Sequence, residues 1–163
     1  MIVGNIIVFG SFDRNLYALD ADDNGRLLWS FEADNWFWAS PVSDGGLVFA
    51  ASMDNNIYAL NLDRDKDDPP IWVQDMGETI ASTPFLGDDK LVVATQDGKI
   101  SLLNAPDGTV MEVPLDMRKE IRSPLRGEII GEFPTVYLGD KDGIVHAIDF
   151  DRWRERWSFH TKD

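Results

Sequence analysis

The side chains in this sequence best suited to chemistry are oxygen donors and large aromatic rings. Asp20-Ala-Asp-Asp-Asn-Gly25 sets oxygens at alternate positions, Asp20, Asp22 and Asn24, and closes on a glycine that permits a sharp turn. That is how a calcium-wrapping loop opens. The distal bidentate glutamate of an EF-hand is missing, because Phe31 stands at that offset. Asp20, Asp22 and Asn24 are therefore a calcium candidate, with a solvated acidic turn as the alternative. Asp63, Asp65 and Asp67 show a similar spacing but end on Asp68 instead of glycine. Trp36 and Trp38, in Trp36-Phe-Trp-Ala-Ser-Pro41, are candidates for a stacking or binding surface, with core packing as the alternative. The chain has no cysteine, which excludes disulfides, thiol catalysis and cysteine-ligated metal. Neither histidine, His146 nor His160, has a nucleophile elbow or a base–orienter spacing beside it, so no catalytic residue is assigned.

These residues sit on a repeated element. Gly10-Ser-Phe-Asp-Arg-Asn-Leu-Tyr-Ala-Leu-Asp20 reads as strand end, tight turn and strand. It returns as Ala51-Ser-Met-Asp-Asn-Asn-Ile-Tyr-Ala-Leu-Asn61, as Ala94-Thr-Gln-Asp-Gly-Lys-Ile-Ser-Leu-Leu-Asn104 and as Gly139-Asp-Lys-Asp-Gly-Ile-Val-His-Ala-Ile-Asp149. The turn aspartates Asp13, Asp54, Asp97 and Asp142 recur at intervals of about 41, 43 and 45 residues. A period near ~40 marks a solenoid or propeller. His146 takes the place of Tyr17 and Tyr58, which gives it a packing role.

The remaining runs are short, rich in Val, Ile, Leu, Tyr, Trp and Phe, and bounded by Gly, Asp or Asn, which predicts an all-β chain. Met1 to Val8 reads as one strand lead, followed by Leu27 to Phe31. The second copy predicts strands at Leu47 to Ser52, Asn56 to Asn61 and Ile71 to Gln74. Asp63 to Pro70 is an acidic insertion expected to be solvated. The third copy predicts Lys90 to Thr95, Lys99 to Asn104 and Thr109 to Pro114. The fourth has a longer lead, Arg126 to Phe133, then Thr135 to Gly139, Gly143 to Asp149 and Glu155 to Phe159. Repeats are placed at approximately 1–35, 36–78, 79–119 and 120–163, within a single domain 1–163.

With 163 residues, 44% of them hydrophobic, the chain can bury a substantial core. A net charge of −14 repels nucleic acid and anionic headgroups, and suits a basic partner or cations. No basic segment followed by an apolar one opens the sequence, so no export signal is visible in it. No apolar run approaches the ~18 residues needed to span a membrane.

The copies resemble the repeats of quinoprotein (pyrroloquinoline quinone, PQQ) dehydrogenase-like β-propellers. The resemblance is carried by Ser40-Pro41, Thr83-Pro84 and Ser123-Pro124, by the turns Asp97-Gly98 and Asp142-Gly143, and by Trp29, Trp72 and Trp157. The third copy has Met111-Glu112 where the others carry Trp. The resemblance implies four-stranded antiparallel blades with the Ser-Pro strand innermost, and assigns Trp29, Trp72 and Trp157 to blade-to-blade packing. It also implies that the first blade lacks its innermost strand. Family propellers usually have seven or eight blades, so four copies make a partial ring. Three readings stay open: a fragment of a larger propeller, two copies completing an eight-bladed ring, or a closed four-bladed ring.

The family's quinone sites use adjacent cysteines, a stacking Trp and a Glu/Asn/Asp calcium site. This sequence has no cysteine, so no cofactor is assigned; Ca2+ stays open and quinone is disfavoured. The resemblance points to the family's non-catalytic branch, which includes the propeller lipoprotein of the outer-membrane assembly machinery. It implies a protein-binding scaffold, with a protein partner or a second copy of the chain, no nucleic acid and no direct membrane insertion. The compartment is extracytoplasmic if an export signal was removed, and cytoplasmic otherwise. The alternative is an enzyme or sensor domain that binds quinone, sugar or another small ligand at the axis, using polar groups near Ser40, Thr83 and Ser123.

Overall fold

The computed structural model describes residues 1–128 and 134–161. Its strands form four four-stranded antiparallel sheets, each built from one continuous stretch of chain. Blade 1 holds β1 (Ile2–Val3), β2 (Ile6–Gly10), β3 (Asn15–Asp20) and β4 (Arg26–Glu32). Blade 2 holds β5 (Val42–Ser43), β6 (Leu47–Ala51), β7 (Asn56–Asn61) and β8 (Trp72–Asp75). Blade 3 holds β9 (Phe85–Gly87), β10 (Lys90–Ala94), β11 (Lys99–Asn104) and β12 (Leu115–Asp116). Blade 4 holds β13 (Arg126–Glu128), β14 (Thr135–Gly139), β15 (Ile144–Asp149) and β16 (Arg154–His160). Part of the long lead assigned to Arg126–Phe133 lies outside the described residues.

Blade 1 does have an innermost strand, contrary to the expectation from the repeat. Met1 to Val8 is two strands folded at Gly4-Asn5. Ile2 pairs with Ile7 and Val3 with Ile6. The terminal ammonium of Met1 donates to the Val8 carbonyl at 2.7 Å, and the Val8 amide donates to the Met1 carbonyl at 3.0 Å. The sequence hides this strand because no Ser-Pro pair precedes it and two residues carry too little pattern to read.

The outer strand of blade 3 is also displaced. Thr109 to Pro114 was expected to pair, yet only a single bridge joins Val110 to Leu103, and the strand proper is Leu115–Asp116. Pro114 has no amide to donate, so continuous pairing cannot run through it. In blade 4 the last strand runs from Arg154 to His160, one residue beyond each end of the predicted Glu155 to Phe159, and His160 pairs with Ile144.

Period-two alternation divides the strand side chains between neighbouring blades. Val48, Ala50, Tyr58 and Leu60 join Val8, Leu16, Ala18 and Trp29 in one core cluster between blades 1 and 2. Phe49, Ala51, Ile57 and Ala59 face the other way and meet Leu91, Val93, Leu103 and Ala105 of blade 3. Val92, Ala94, Ile100 and Leu102 then pack on Val136, Leu138, Ile148 and Phe150 of blade 4. β6 and β10 are accordingly buried on both faces. Among the described residues no core cluster joins blade 4 to blade 1, so the four blades form an open arc.

A tryptophan locks each junction. Trp29 Nε1 donates to the Leu62 carbonyl at 2.8 Å, and Trp72 Nε1 donates to the Ala105 carbonyl at 2.9 Å. At the third junction, where the repeat has lost its outer Trp, the direction reverses. Trp153, in the β15–β16 turn of blade 4, donates back to the Val113 carbonyl at 3.0 Å.

Candidate functional site

The tight turns between the second and third strands of each blade share one face of the arc with the links that lead to the next innermost strand. Backbone hydrogen bonds tie the two sets together: Phe37 to Ser11, Met53 to Trp36, Gln96 to Thr79 and Lys141 to Glu120. Burial alternates along the link 33–41. Phe37 and Ala39 point into the core, while Trp36 and Trp38 point out. Gly10 makes the approach possible, since a Cβ there would lie 2.3 Å from Phe37 Cβ and 2.8 Å from the Phe37 carbonyl oxygen.

Trp36 and Trp38 are 45% and 55% exposed, and Phe12, 58% exposed, joins them from the β2–β3 turn. The Phe12 ring stacks on Trp38 at 5.2 Å and 16°, and lies 5.4 Å from Trp36. Three large rings thus form a pre-stacked platform on the loop face. Both tryptophans were legible in the sequence as surface candidates, but Phe12 was not; its turn position holds Met53, Gln96 and Lys141 in the other copies. A large aromatic at an exposed turn position was the available signal.

Carboxylates border the platform. Asp13 Oδ1 accepts from the Asn15 amide at 3.0 Å and Oδ2 from the Tyr17 hydroxyl at 2.7 Å. The Tyr17 hydroxyl, followed by the Asn15 amide, holds the Asp13 carboxyl below its ordinary pKa. Asp54 repeats the arrangement with Asn56 and Tyr58, and its Oδ2 also accepts from the Asp34 amide at 3.1 Å. Each of these contacts is neutral. Among the described residues no Lys, Arg or His forms an ion pair with Asp13, Asp34 or Asp54.

The same face over blades 3 and 4 is charge-balanced. Asp97 pairs with Lys99 at 2.7 Å, Asp142 with Lys119 at 2.5 Å, and Glu120 with Arg122 at 2.5 Å and Lys141 at 3.4 Å. A cavity of about 490 Å³ lies between Glu120, Arg122, Ser123, Asp140 and Lys141. In blade 4 the turn is organised by Asp140, not by the Asp142 that the repeat pattern picked out. Asp140 Oδ1 accepts from the Asp142 and Ile144 amides at 3.0 and 2.8 Å. It stands where Ser11, Ser52 and Thr95 stand in the other blades. His146 is buried, with Nε2 3.3 Å from Asp140 Oδ2 and Nδ1 2.7 Å from Glu155 Oε1.

The calcium candidate is held as a turn. Asp20 Oδ1 accepts from Asn5 Nδ2 and the Asp22 amide, each at 3.1 Å, and Asp20 Oδ2 lies 3.1 Å from Arg26 Nη2. Arg26 Nε donates to Asp23 Oδ2 at 2.6 Å. The structure therefore places an arginine against Asp20 and Asp23; Asn24 sits beside them at φ 51°. The acids of the second run, Asp63, Asp65, Asp67 and Asp68, are solvated as expected, but the arginine among them is not. Arg64 is buried, its guanidinium 5.5 Å from the Trp29 ring and 5.3 Å from the Phe31 ring, and Nη2 donates to the Asp68 carbonyl. A flat cation stacks on aromatic faces, which gives the buried guanidinium contact area on both rings.

The inner-strand polar residues do not converge. The Ser40 amide donates to Thr83 Oγ1 at 3.2 Å, whereas Ser123 Oγ is engaged by the Gly139 amide and carbonyl, both at 2.8 Å. The innermost strands of all four blades line a cavity of about 370 Å³. Its walls include Ile2, Val42, Phe85 and Leu125.

The sequence profile of the family described as outer membrane protein assembly factor BamB matches residues 2–110 and 65–162. This chain belongs to that family. BamB of Escherichia coli K12 is 31% identical over 151 residues, which cover 90% of this chain and 36% of that protein. BamB of Salmonella typhimurium LT2 is 28% identical over 152 residues, again 36% of that protein. Subunit 1 of the methanol dehydrogenase of Methylobacterium organophilum is 20% identical over 124 residues, or 63% of this chain and 19% of that one. The crystal structure of Moraxella catarrhalis BamB superposes with a TM-score of 0.78 at 16% identity, covering 98% of this chain and 46% of that chain. The computationally designed protein Ika8 gives 0.75 at 17% identity, with coverage of 95% and 46%. Our chain thus spans little more than a third of these BamB sequences and just under half of the solved propellers.

Proposed function

We propose that this protein is a non-enzymatic scaffold that binds a protein partner in outer-membrane protein assembly, on the far side of the inner membrane. Family membership supports the setting, since the relatives are named as assembly factors for outer membrane proteins. The observation that carries the reading is the platform of Phe12, Trp36 and Trp38 bordered by uncompensated carboxylates. Exposed aromatics in a rigid stack provide contact area at little entropic cost, and such residues dominate interface energetics. The charge selects a basic, extended segment on the partner. A second partner, another copy of the chain, fits the open ends of the arc.

The test is binding to purified outer-membrane assembly complex by biolayer interferometry, comparing the wild type with Trp36→Ser/Trp38→Ser. Removal of the two rings is expected to weaken binding at least about a hundredfold, within the range of interface hot spots, and to leave far-UV circular dichroism unchanged. Equal affinity of the two proteins, or no binding by either, would sink the proposal.

A further inference from the structure

The two ends of the arc carry matched halves of one packing unit. β2 is apolar along Ile6-Ile-Val-Phe9, yet only Val8 is buried there, and Phe9 is exposed. β14 buries Val136 and Leu138 but leaves Tyr137 exposed. The equivalent strands β6 and β10 use both faces. The end strands therefore have the composition of interior strands, with one face uncovered.

Register shows what each open face is shaped to meet. In blade 2, Phe49 and Trp72 pack together at 5.8 Å and 35°, and Trp72 locks onto Ala105 of blade 3. In blade 4, Tyr137 and Trp157 stand in the same repeat positions and adopt nearly the same geometry, 5.9 Å and 43°. Trp157 is 46% exposed, and among the described residues its indole N–H has no hydrogen-bond acceptor. On the receiving side, blade 3 offers Leu91, Val93, Leu103 and Ala105. The same repeat positions in blade 1 are Ile7, Phe9, Leu19 and Ala21, and none of them is covered by another blade.

We infer that a second copy of the chain closes the ring head to tail. Trp157 Nε1 donates to the carbonyl of Ala21 of the partner subunit, and Tyr137 and Val145 pack on the partner subunit's Ile7, the partner's Phe9 and the partner's Leu19. The arc spans 46% of each solved propeller it matches, so two arcs complete one circle. Twofold rotation makes the two new junctions identical and leaves no blade open, the condition for a heterologous contact to close. The axial cavity, walled here by four innermost strands, gains its other half from the partner. This inference uses the ends of the arc and not the loop face, so either reading can fail without the other.

The test is absolute mass by light scattering after size exclusion, over a dilution series. Wild type is expected at twice 18.4 kDa. Trp157→Arg on one face and Phe9→Arg on the other should each run as monomer with unchanged circular dichroism. Trp157→Phe keeps the shape and deletes one donor per junction, and should raise the dimer Kd about tenfold or more. If both arginine variants unfold, the phenylalanine variant decides. A wild type that stays monomeric throughout, a series of open-ended higher oligomers, or a dimer whose Kd ignores Trp157→Phe would overturn the inference.

Discussion

Replacing Trp29 by Phe isolates the contribution of one lock between blades. Trp29 is buried, and its indole nitrogen reaches the Leu62 carbonyl at 2.8 Å in a site closed to solvent. Phe fills much of the same space but has no N–H. The Leu62 carbonyl is then left buried and unpaired, a loss of about 1–3 kcal/mol. The lost ring area adds about 1 kcal/mol, and the guanidinium of Arg64 loses part of the surface it stacks on. The total is about 2–4 kcal/mol, which for a chain of this size lowers Tm by about 5–15 °C. Urea unfolding followed by far-UV circular dichroism measures it, with Trp38→Phe as the exposed control, expected within about 0.5 kcal/mol of wild type. A Trp29→Phe protein as stable as that control would refute the reasoning that the indole N–H locks the blades.

Three further predictions concern other contacts. Gly108→Ala should cost about 2–3 kcal/mol and shift Trp fluorescence, because φ there is +76° and a Cβ would lie 2.6 Å from the Trp72 ring; an unshifted spectrum with full stability would contradict this. Arg64→Met should leave stability unchanged or raise it, since Nε and Nη1 are buried without a protein partner among the described residues, whereas Arg64→Ala should lower it by about 1–3 kcal/mol through lost packing. Equal losses in urea midpoint for the two variants would argue against the stacking account. Burial alone would raise the Asp140 carboxyl, but the Ile144 amide, His146 and the Asp142 amide outweigh it and hold the pKa below the ordinary value. A carboxylate depressed in the fold stabilises it above its unfolded pKa, and that contribution disappears as pH falls through the folded value. Stability should therefore drop on the acid side, below about pH 4, and Asp140→Asn should flatten that drop; an identical acid slope in the variant would count against the assignment.

Much of the architecture could be read from sequence because each blade repeats turn chemistry that has a mechanism. Asp13 and Asp54 accept the amide two residues on, and the Tyr that follows caps the same carboxylate, so the motif marks both the turn and its register. Reading failed where one residue did two jobs or where pattern was too short. Asp140 took over the turn from a position held elsewhere by Ser or Thr. Two residues, Ile2 and Val3, made a strand too short for any periodicity to show. Arg64 lay inside a run of acids, and only the rings of Trp29 and Phe31, distant in sequence, gave it a buried place. At the candidate surface, Trp36 and Trp38 were visible as residues, but their exposure was not. It depends on Phe37 and Ala39 filling the junction and on Gly10 letting the link pass close by.

The reversed tryptophan has a mechanical consequence. The first two junctions are held from the outer strand of the preceding blade, inside a paired sheet. The third is held from a turn, by Trp153 at φ 46°, a left-handed conformation that costs a bulky residue about 1–2 kcal/mol. Its acceptor, Val113, lies in the unpaired approach to a two-residue strand. In a chain of units that touch only their neighbours, opening begins at the weakest contact. This lock predicts that the fourth blade opens first, so amide hydrogens of β14 and β15 should exchange before those of β6 and β7. A molecule that wedged into this protein would enter between blades 3 and 4.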